Sequence, residues 1–254
     1  MKRTSLDEQM RGQRTQVPIG LYAAGFAIAM FLTTALSCEP RWLLKRIVER
    51  YPGCDYFIET TEPIVALSID DGPDSISTPE ILQVLSRHQA RATFFLISSR
   101  VPGNENIVSE IVSGGHEIGN HLTKEERSIK LSREEFTDAL GEADSVLSEY
   151  AELRWFRPGG GWYNAMMISI LREHNYRCAL GSVYPVDVLI PWEWFTVQFV
   201  LLGVRPGAII VLHDGGSRGV RTAKALARIL PELTRRGFRV VSLSEAFETG
   251  AAVD

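Results

Sequence analysis

From residue 63 onward, short apolar runs and longer amphipathic stretches take turns along the chain. "PIVALSI" reads as a buried strand, "STPEILQVLSRHQ" as a helix capped near Ser77, and "ATFFLI" as the next strand. "GNENIVSEIVSGG" then reads as a helix ending in glycines, and "HEIGNH" as a short strand running into a loop. The clearest amphipathic helix is "SREEFTDALGEADSVLSEYA", where Ser132 followed by Glu135 forms a capping-box pattern. After "RWFRPGGGWYN" come a helix around 164–174, "YRCALGSVY", an apolar stretch, "GAIIVLHD", a helix around 221–236 and "FRVVSLSEAF". Strand and helix alternate throughout, which predicts an α/β fold with a mostly parallel sheet, open or closed into a barrel. Functional groups then belong at the carboxyl ends of the strands.

The first sixty residues break this rhythm. Residues 1–16 are a short polar tail carrying Lys2, Arg3, Arg11 and Arg14, and residues 17–38 then run without a charge. That run is long enough for a bilayer span of about 20 residues. The expectation is one N-terminal transmembrane helix acting as an uncleaved signal anchor, because no A-x-A pattern follows it. "ALSC" loosely resembles a lipoprotein cleavage site, and a buried helix of the domain is the plain alternative. Basic residues flank both sides of the run, so charge does not fix its orientation. Residues 39–62 read as a connector containing a short amphipathic helix, and 63–254 as the domain proper.

Composition narrows the reading. The chain has 254 residues, 45% hydrophobic and 23% charged, which suits one globular domain after the anchor. A net charge of -4 gives no basic footprint, so nucleic acid is excluded as the expected partner and an uncharged or weakly charged substrate fits better. Cys38, Cys54 and Cys178 show neither a C-x-x-C pair nor a zinc-finger spacing. Cys54 and Cys178 can pair in an oxidising compartment, but an odd count leaves one over, and free or buried thiols are the expectation.

Polar residues collect where the strands end. Asp70 and Asp71 follow "VALSI", His116 opens and His121 closes "HEIGNH", Arg157 follows "RWF", and His213 and Asp214 follow "AIIVL". Each has a bland explanation alone, such as a turn or a core-edge histidine. Their coincidence at like positions is the signal. Two adjacent carboxylates are costly unless a cation or a proton compensates them. A metal held by one aspartate and His121 would relieve the crowding, leaving the other aspartate to take a proton from water. His213, on another strand end, could protonate a leaving amine.

These residues, in this order, resemble the polysaccharide deacetylase family with the NodB homology domain, carbohydrate esterase family four. The resemblance covers residues 63 to about 247. "SIDDGP" is similar to the family's T-F-D-D-G-P, which makes Asp70 the counterpart of the catalytic base and Asp71 of a metal ligand. His121 matches the first histidine of H-[ST]-x-x-H. "FRPGGGW" resembles R-x-P-[PY]-x, with Arg157 the arginine that orients the base, and "VLHDGG" resembles L-x-x-H-D, with Leu212 lining the acetyl pocket and His213 the general acid. The resemblance implies a distorted (β/α) barrel of about seven parallel strands. It also implies a divalent metal, zinc first with cobalt or manganese as alternatives, and an acetylated, N-acetylglucosamine-containing glycan as substrate. Such glycans lie outside the cytoplasm or in a secretory lumen, so the domain is expected on that side of the membrane.

One departure stands out. Glu125 occupies the place of the family's second histidine, in "NHLTKEERS". A glutamate there could complete an Asp71–His121–Glu125 centre; Glu126 is a rival, and "KEER" is also an ordinary charged surface. The fourth family motif, usually D-x-x-D-W, is blurred in "GSVYPVDVLIPWEW", which offers Asp187 and Trp192 without clean spacing, and Asp187 is a candidate partner for Arg157; Asp214 is a further candidate orienting residue. In "PGGGWYN", Gly160 or the Tyr163 N–H could complete an oxyanion hole, and Trp162 and Tyr163 could stack on a sugar or simply pack over the barrel mouth. Residues 188–204 are unusually apolar and read either as a core helix or as a surface lying on the membrane. The two function classes in play are a metal-dependent N-deacetylase and a membrane-anchored carbohydrate-binding pseudoenzyme on the same fold.

Overall fold

The computed structural model describes residues 41–251, and the apolar run 17–38 lies outside them. Among the described residues no helix is long and apolar enough to cross a membrane. Eight strands form one parallel sheet: β1 (Cys54–Asp55), β2 (Ile64–Gly72), β3 (Thr93–Leu96), β4 (Glu117–Asn120), β5 (Trp155–Phe156), β6 (Arg177–Ala179), β7 (Ala208–His213) and β8 (Arg239–Val241). Their order is β1-β6-β5-β4-β3-β2-β7, with β8 on the amino-terminal half of β2. Lone bridges from Val183 to Ile210 and from Phe57 to Ala208 carry the β6 and β1 side round to β7. The barrel is therefore irregular at this seam.

Alternation along β2 and β7 divides the core in two, as a pleated strand requires. Val65, Leu67, Ile69, Ile210 and Leu212 face the surrounding helices. Ile64, Ala66 and Ile209 face inward, where they meet Phe95 and Trp155. The helices are α1 (Arg41–Arg50), α2 (Ser77–Arg87), α3 (Glu105–Ser113), α4 (Arg133–Leu147), α5 (Ala165–Glu173), α6 (Glu193–Gly203), α7 (Gly216–Arg235) and α8 (Leu243–Ala251). Helix α7 packs against both α2 and α6. The capping box at α4 forms in both directions between Ser132 and Glu135. Helix α2 differs from expectation: the Asp74 carboxylate, not Ser77, accepts the Ile76 and Ser77 N–H groups at 3.0 and 2.8 Å.

Two expectations are corrected. Residues 41–62 are not a mere connector, since Leu44 of α1 and Ile58 are buried and β1 pairs with β6. Burying one leucine contributes about 1.5–3 kcal/mol, enough to hold a short helix against the barrel. Cys54 and Cys178 are bonded to each other, not free; they are registered partners on β1 and β6, with Cα atoms 4.6 Å apart. Cys38 lies outside the described residues.

Candidate active site

The site forms where β2, β4, β5 and β7 end. Asp70 and His213 are registered partners on neighbouring strands, so their side chains leave the sheet on one face. In a regular strand Asp71 would point the opposite way. It adopts φ +67°, and the β2–β3 register shifts between Asp70 and Gly72, so this carboxylate also turns toward His121. Leu122, directly after His121, and Val186, directly before Asp187, take φ +61° and +54°. Left-handed backbone is costly for such residues and tends to persist where surrounding structure enforces it, as at functional sites. At Leu122 the enforcer is Asn120, whose Oδ1 accepts the Leu122 N–H at 2.8 Å.

Asp70 is buried and held by Arg157, whose Nη1 donates to its Oδ1 at 2.7 Å. The guanidinium is fixed on all sides. It donates to Ser68 Oγ and to the Ala179 and Leu180 carbonyls, and it lies 4.1 Å from the centre of the Phe95 ring. Burial pulls Arg157 below its ordinary pKa, and the Asp70 charge opposes that shift. Removing one partner of such a buried pair typically costs about 3–5 kcal/mol, because the other charge is stranded.

His121 Nδ1 lies 2.7 Å from the Arg157 carbonyl oxygen. A carbonyl only accepts, so Nδ1 carries a proton, and an ion bound here would meet a neutral ring with its lone pair on Nε2. Without an ion, burial lowers the His121 pKa but the Asp71 bond and the Asp70 and Asp71 charges outweigh it and raise it, favouring a proton on Nε2 as well. That Nε2 is 3.4 Å from Asp71 Oδ1, a spacing two ligands can take when each sits about 2 Å from one ion. The carbonyl that fixes the His121 ring is the kind of outer support that metal-binding histidines have. Burial raises Asp71, but the His121 bond and the His121, His213 and Arg218 charges outweigh it and bring the carboxyl to about 2.

Glu125 does not join this pair. Its side chain is 56% exposed, and Arg100 Nη2 donates to its Oε2 at 2.9 Å while Arg218 Nη1 stands 3.9 Å from its Oε1. Among the described residues no three His, Cys, Asp or Glu side chains are grouped to hold an ion. The expected Asp71–His121–Glu125 centre is thus not assembled. Asp71 and His121 fit a metal, and the third carboxylate is engaged by two arginines that the sequence reading did not single out.

His213 is positioned by Asp187, not by its own strand. Asp187 Oδ1 is 2.8 Å from His213 Nδ1, and Oδ2 accepts the His213 backbone N–H at 3.0 Å. This corrects the pairing of Asp187 with Arg157. Burial lowers the His213 pKa, but the Asp187 bond and the charges of Asp187, Asp70 and Asp71 outweigh it, so the ring titrates above its ordinary value. Asp214 is a clamp: its carboxylate accepts the Ser77 and Thr78 hydroxyls and the Gly215 N–H, tying the end of β7 to the start of α2.

The remaining candidates separate. Leu212 is fully buried among residues that face the helices, opposite His213, so it does not line the site. The glycine turn packs on residues 126–128; a Cβ on Gly159 would fall 1.9 Å from the Glu126 carbonyl oxygen. The Gly159 and Gly161 N–H groups are committed to Ser128 Oγ and the Pro158 carbonyl, while Gly160 takes φ +77°. Tyr163 donates to the Tyr51 carbonyl at 2.6 Å, which makes it a packing residue, and Trp162 is 67% exposed. Trp192, named in the sequence only as part of the blurred fourth motif, stacks on Trp194, which the sequence reading missed; both are exposed, with ring centres 6.2 Å apart. Trp192 borders a small recess that Asp187 and Arg218 also line. His116 lies at the amino end of β4, packs edge-on against Phe94, and is pushed down to about 4, chiefly by burial; it is remote from the chemistry.

Known proteins resemble this chain in sequence and in fold. The sequence profile of the polysaccharide deacetylase family matches residues 58–179. A peptidoglycan-N-acetylglucosamine deacetylase from Bacillus cereus is 34% identical over 206 residues, covering 80% of this chain and 97% of the relative. A solved peptidoglycan N-acetylglucosamine deacetylase in complex with 4-naphthalen-1-yl-N-oxidanyl-benzamide superposes with a TM-score of 0.74 at 31% identity, covering 79% of this chain and 95% of that one. A carbohydrate esterase family 4 pseudoenzyme from Bacillus anthracis superposes with a TM-score of 0.71 at 26% identity, covering 77% and 69%.

Proposed function

The chain belongs to the polysaccharide deacetylase family, and on that premise we propose that it hydrolyses N-acetyl groups of an N-acetylglucosamine-containing, chitin- or peptidoglycan-like glycan. The observation that carries the reading is the pairing of two buried, separately supported groups on registered strands: Asp70 held by Arg157 and His213 held by Asp187. One is poised to take a proton and the other to give one.

Arg157 occupies Asp70 Oδ1 and leaves the second oxygen to accept a proton from the attacking water. The water oxygen bonds to the acetyl carbonyl carbon, and His213 Nε2 delivers a proton to the amide nitrogen as the carbon–nitrogen bond breaks. Acetate and a free amine leave. Asp187 accepts from Nδ1 and its charge stabilises the imidazolium, so that the outward Nε2 also carries a proton to give. Asp71 and His121 would hold a divalent ion, zinc first, with cobalt or manganese as alternatives. When bound, such an ion supplies Lewis acidity toward the acetyl oxygen and toward water at neutral pH. The Gly160 or Tyr163 backbone N–H is the candidate second donor to that oxygen, and the exposed Trp162, Trp192 and Trp194 offer faces on which sugar rings can stack.

We propose a location on the same grounds. The charge-free run 17–38 is a single-pass anchor, and the domain faces the extracytoplasmic side or a secretory lumen, where such glycans occur; the Cys54–Cys178 bond suits an oxidising compartment. A second reading, a glycan-binding protein without catalysis, is favoured by one observation, the diversion of Glu125 to arginines. Acetate release from acetylated glycan separates the two: the enzyme liberates acetate and free amine in equal amounts, and the binder liberates neither.

A further inference from the structure

Four charged side chains close one edge of the site. Arg100 donates through Nη2 to Glu125 Oε2 at 2.9 Å and through Nη1 to the Asp71 carbonyl. Arg218 donates through Nη2 to Asp71 Oδ2 at 2.8 Å and through Nε to the Asp214 carbonyl at 3.0 Å, with Nη1 3.9 Å from Glu125 Oε1. Both guanidinium groups pass over Gly215, where an added Cβ would lie 3.5 Å from Arg100 and 3.6 Å from Arg218. Two cations so near one another are tolerable because two carboxylates compensate them.

The two arginines play different parts. Arg218 leaves Asp71 Oδ1 directed at His121, so toward Asp71 it is an outer partner that orients a ligand. Toward Glu125 both arginines are competitors. A carboxylate paired with two guanidiniums has little negative charge to offer an ion, and its closer partner, Arg100, also anchors on the main chain beneath Asp71. The Glu125 pairs are partly solvent-exposed, and such pairs are weak enough to be broken reversibly.

Resting on the deacetylase reading, we propose that Arg100 and Arg218 form a latch that holds Glu125 off the Asp71–His121 pair, with Arg100 the residue that sets whether this glutamate becomes the third metal ligand. Arg100 is a positioning residue. In the latched state metal affinity comes from Asp71 and His121; with the latch open, Glu125 completes the set.

The test is a double-mutant cycle on metal affinity, read by calorimetric titration of zinc, cobalt and manganese into the metal-stripped full chain in detergent. Four proteins are compared: the unaltered chain, Arg100→Ala, Glu125→Ala and the double variant; Arg100→Gln substitutes should Arg100→Ala fail to fold. The latch predicts that Arg100→Ala binds at least about tenfold more tightly, in the range that outer-shell changes produce. It further predicts that Glu125→Ala alone shifts affinity less than about twofold, and that adding Glu125→Ala to Arg100→Ala abolishes the gain. A merely structural arginine would not tighten binding when removed. The proposal is overturned if Arg100→Ala binds no more tightly, if Glu125→Ala alone loses affinity about tenfold or more, or if none of the four binds any of the three ions. Acetate release is assayed on the same samples. Metal binding without turnover sinks the deacetylase reading and leaves the latch standing, whereas turnover with an unaltered cycle does the reverse.

Discussion

Asp70 and Asp71 are neighbours in sequence yet take separate parts in the proposed reaction, because a left-handed residue and a register shift turn the second carboxylate away from strand alternation. The paired aspartates, His121, Arg157 and His213 were legible in the sequence as polar groups punctuating strand ends. Asp187 was misassigned and Arg218 missed because their partners are distant in sequence: the Asp187–His213 pair spans 26 residues and Arg218–Asp71 spans 147, with no local period to reveal either. Leu212 was misplaced for the opposite reason, since strand alternation, readable from the sequence, already sets it opposite His213. Two expectations follow. Asp70→Asn keeps an acceptor for Arg157 but removes the base, so turnover should fall by at least about a thousandfold, within the range that general bases supply, while metal binding by calorimetry is retained; turnover near the unaltered level refutes the role. His213 has its pKa raised above the ordinary imidazole range, so its proton and its stabilising contribution are fully present below that range and lost as pH rises through the raised value. Asp187→Asn removes the partner that raises it. The alkaline limb of kcat/KM should therefore move to lower pH, and a limb that stays in place contradicts the assignment.

At the scale of elements, long periodic segments were read from their pattern and the short strands β4 and β5 from the polar residues that end them, whereas β1 and the start of α7 were missed. The β2 run and the α4 capping box announce themselves by pattern. Strands β1, β5 and β6 are two or three residues long, too short to show a period, and exist because neighbouring strands complete their hydrogen bonds. Helix α7 begins at Gly216, earlier than its apolar periodicity, because its first turn is fixed by tertiary contact. Gly219 sits in that turn against Ser77 and Asp214, where a Cβ would lie 2.3 Å from Ser77 Oγ and 2.4 Å from Asp214 Oδ1. Gly219→Ala should destabilise the protein by about 1–3 kcal/mol, the usual cost of overpacking, and thermal unfolding measures it. An unchanged midpoint would show that the Asp214 clamp yields freely. Ser132→Ala, which removes one half of the α4 capping box, should cost about 1 kcal/mol in the same assay and leave acetate release unaffected.

Across the whole molecule, the sheet gathers groups from residue 70 to residue 214 onto one rim, while the seam near Val183 and Phe57 closes irregularly and the segment from α1 to β1 braces the outside. That bracing segment read as a connector because, beyond the amphipathic helix that is α1, its buried residues Cys54 and Ile58 stand isolated in the sequence. The Cys54–Cys178 bond stood in the sequence only as the lesser alternative to free thiols, since strand register, not spacing, brings the two together. The proposed anchor belongs to the whole chain, and it predicts that the protein in cell lysates sediments with membranes and is released by detergent but not by high salt or alkaline carbonate; release by salt would mean that residues 17–38 do not span a bilayer. The decisive measurement is acetate release from N-acetylated chitooligosaccharide and peptidoglycan by the metal-loaded full chain, run beside Asp70→Asn. Acetate and free amine appearing in equal amounts with the unaltered chain, and neither with the variant, is the predicted result. No acetate from either glycan, or equal acetate from both proteins, contradicts it.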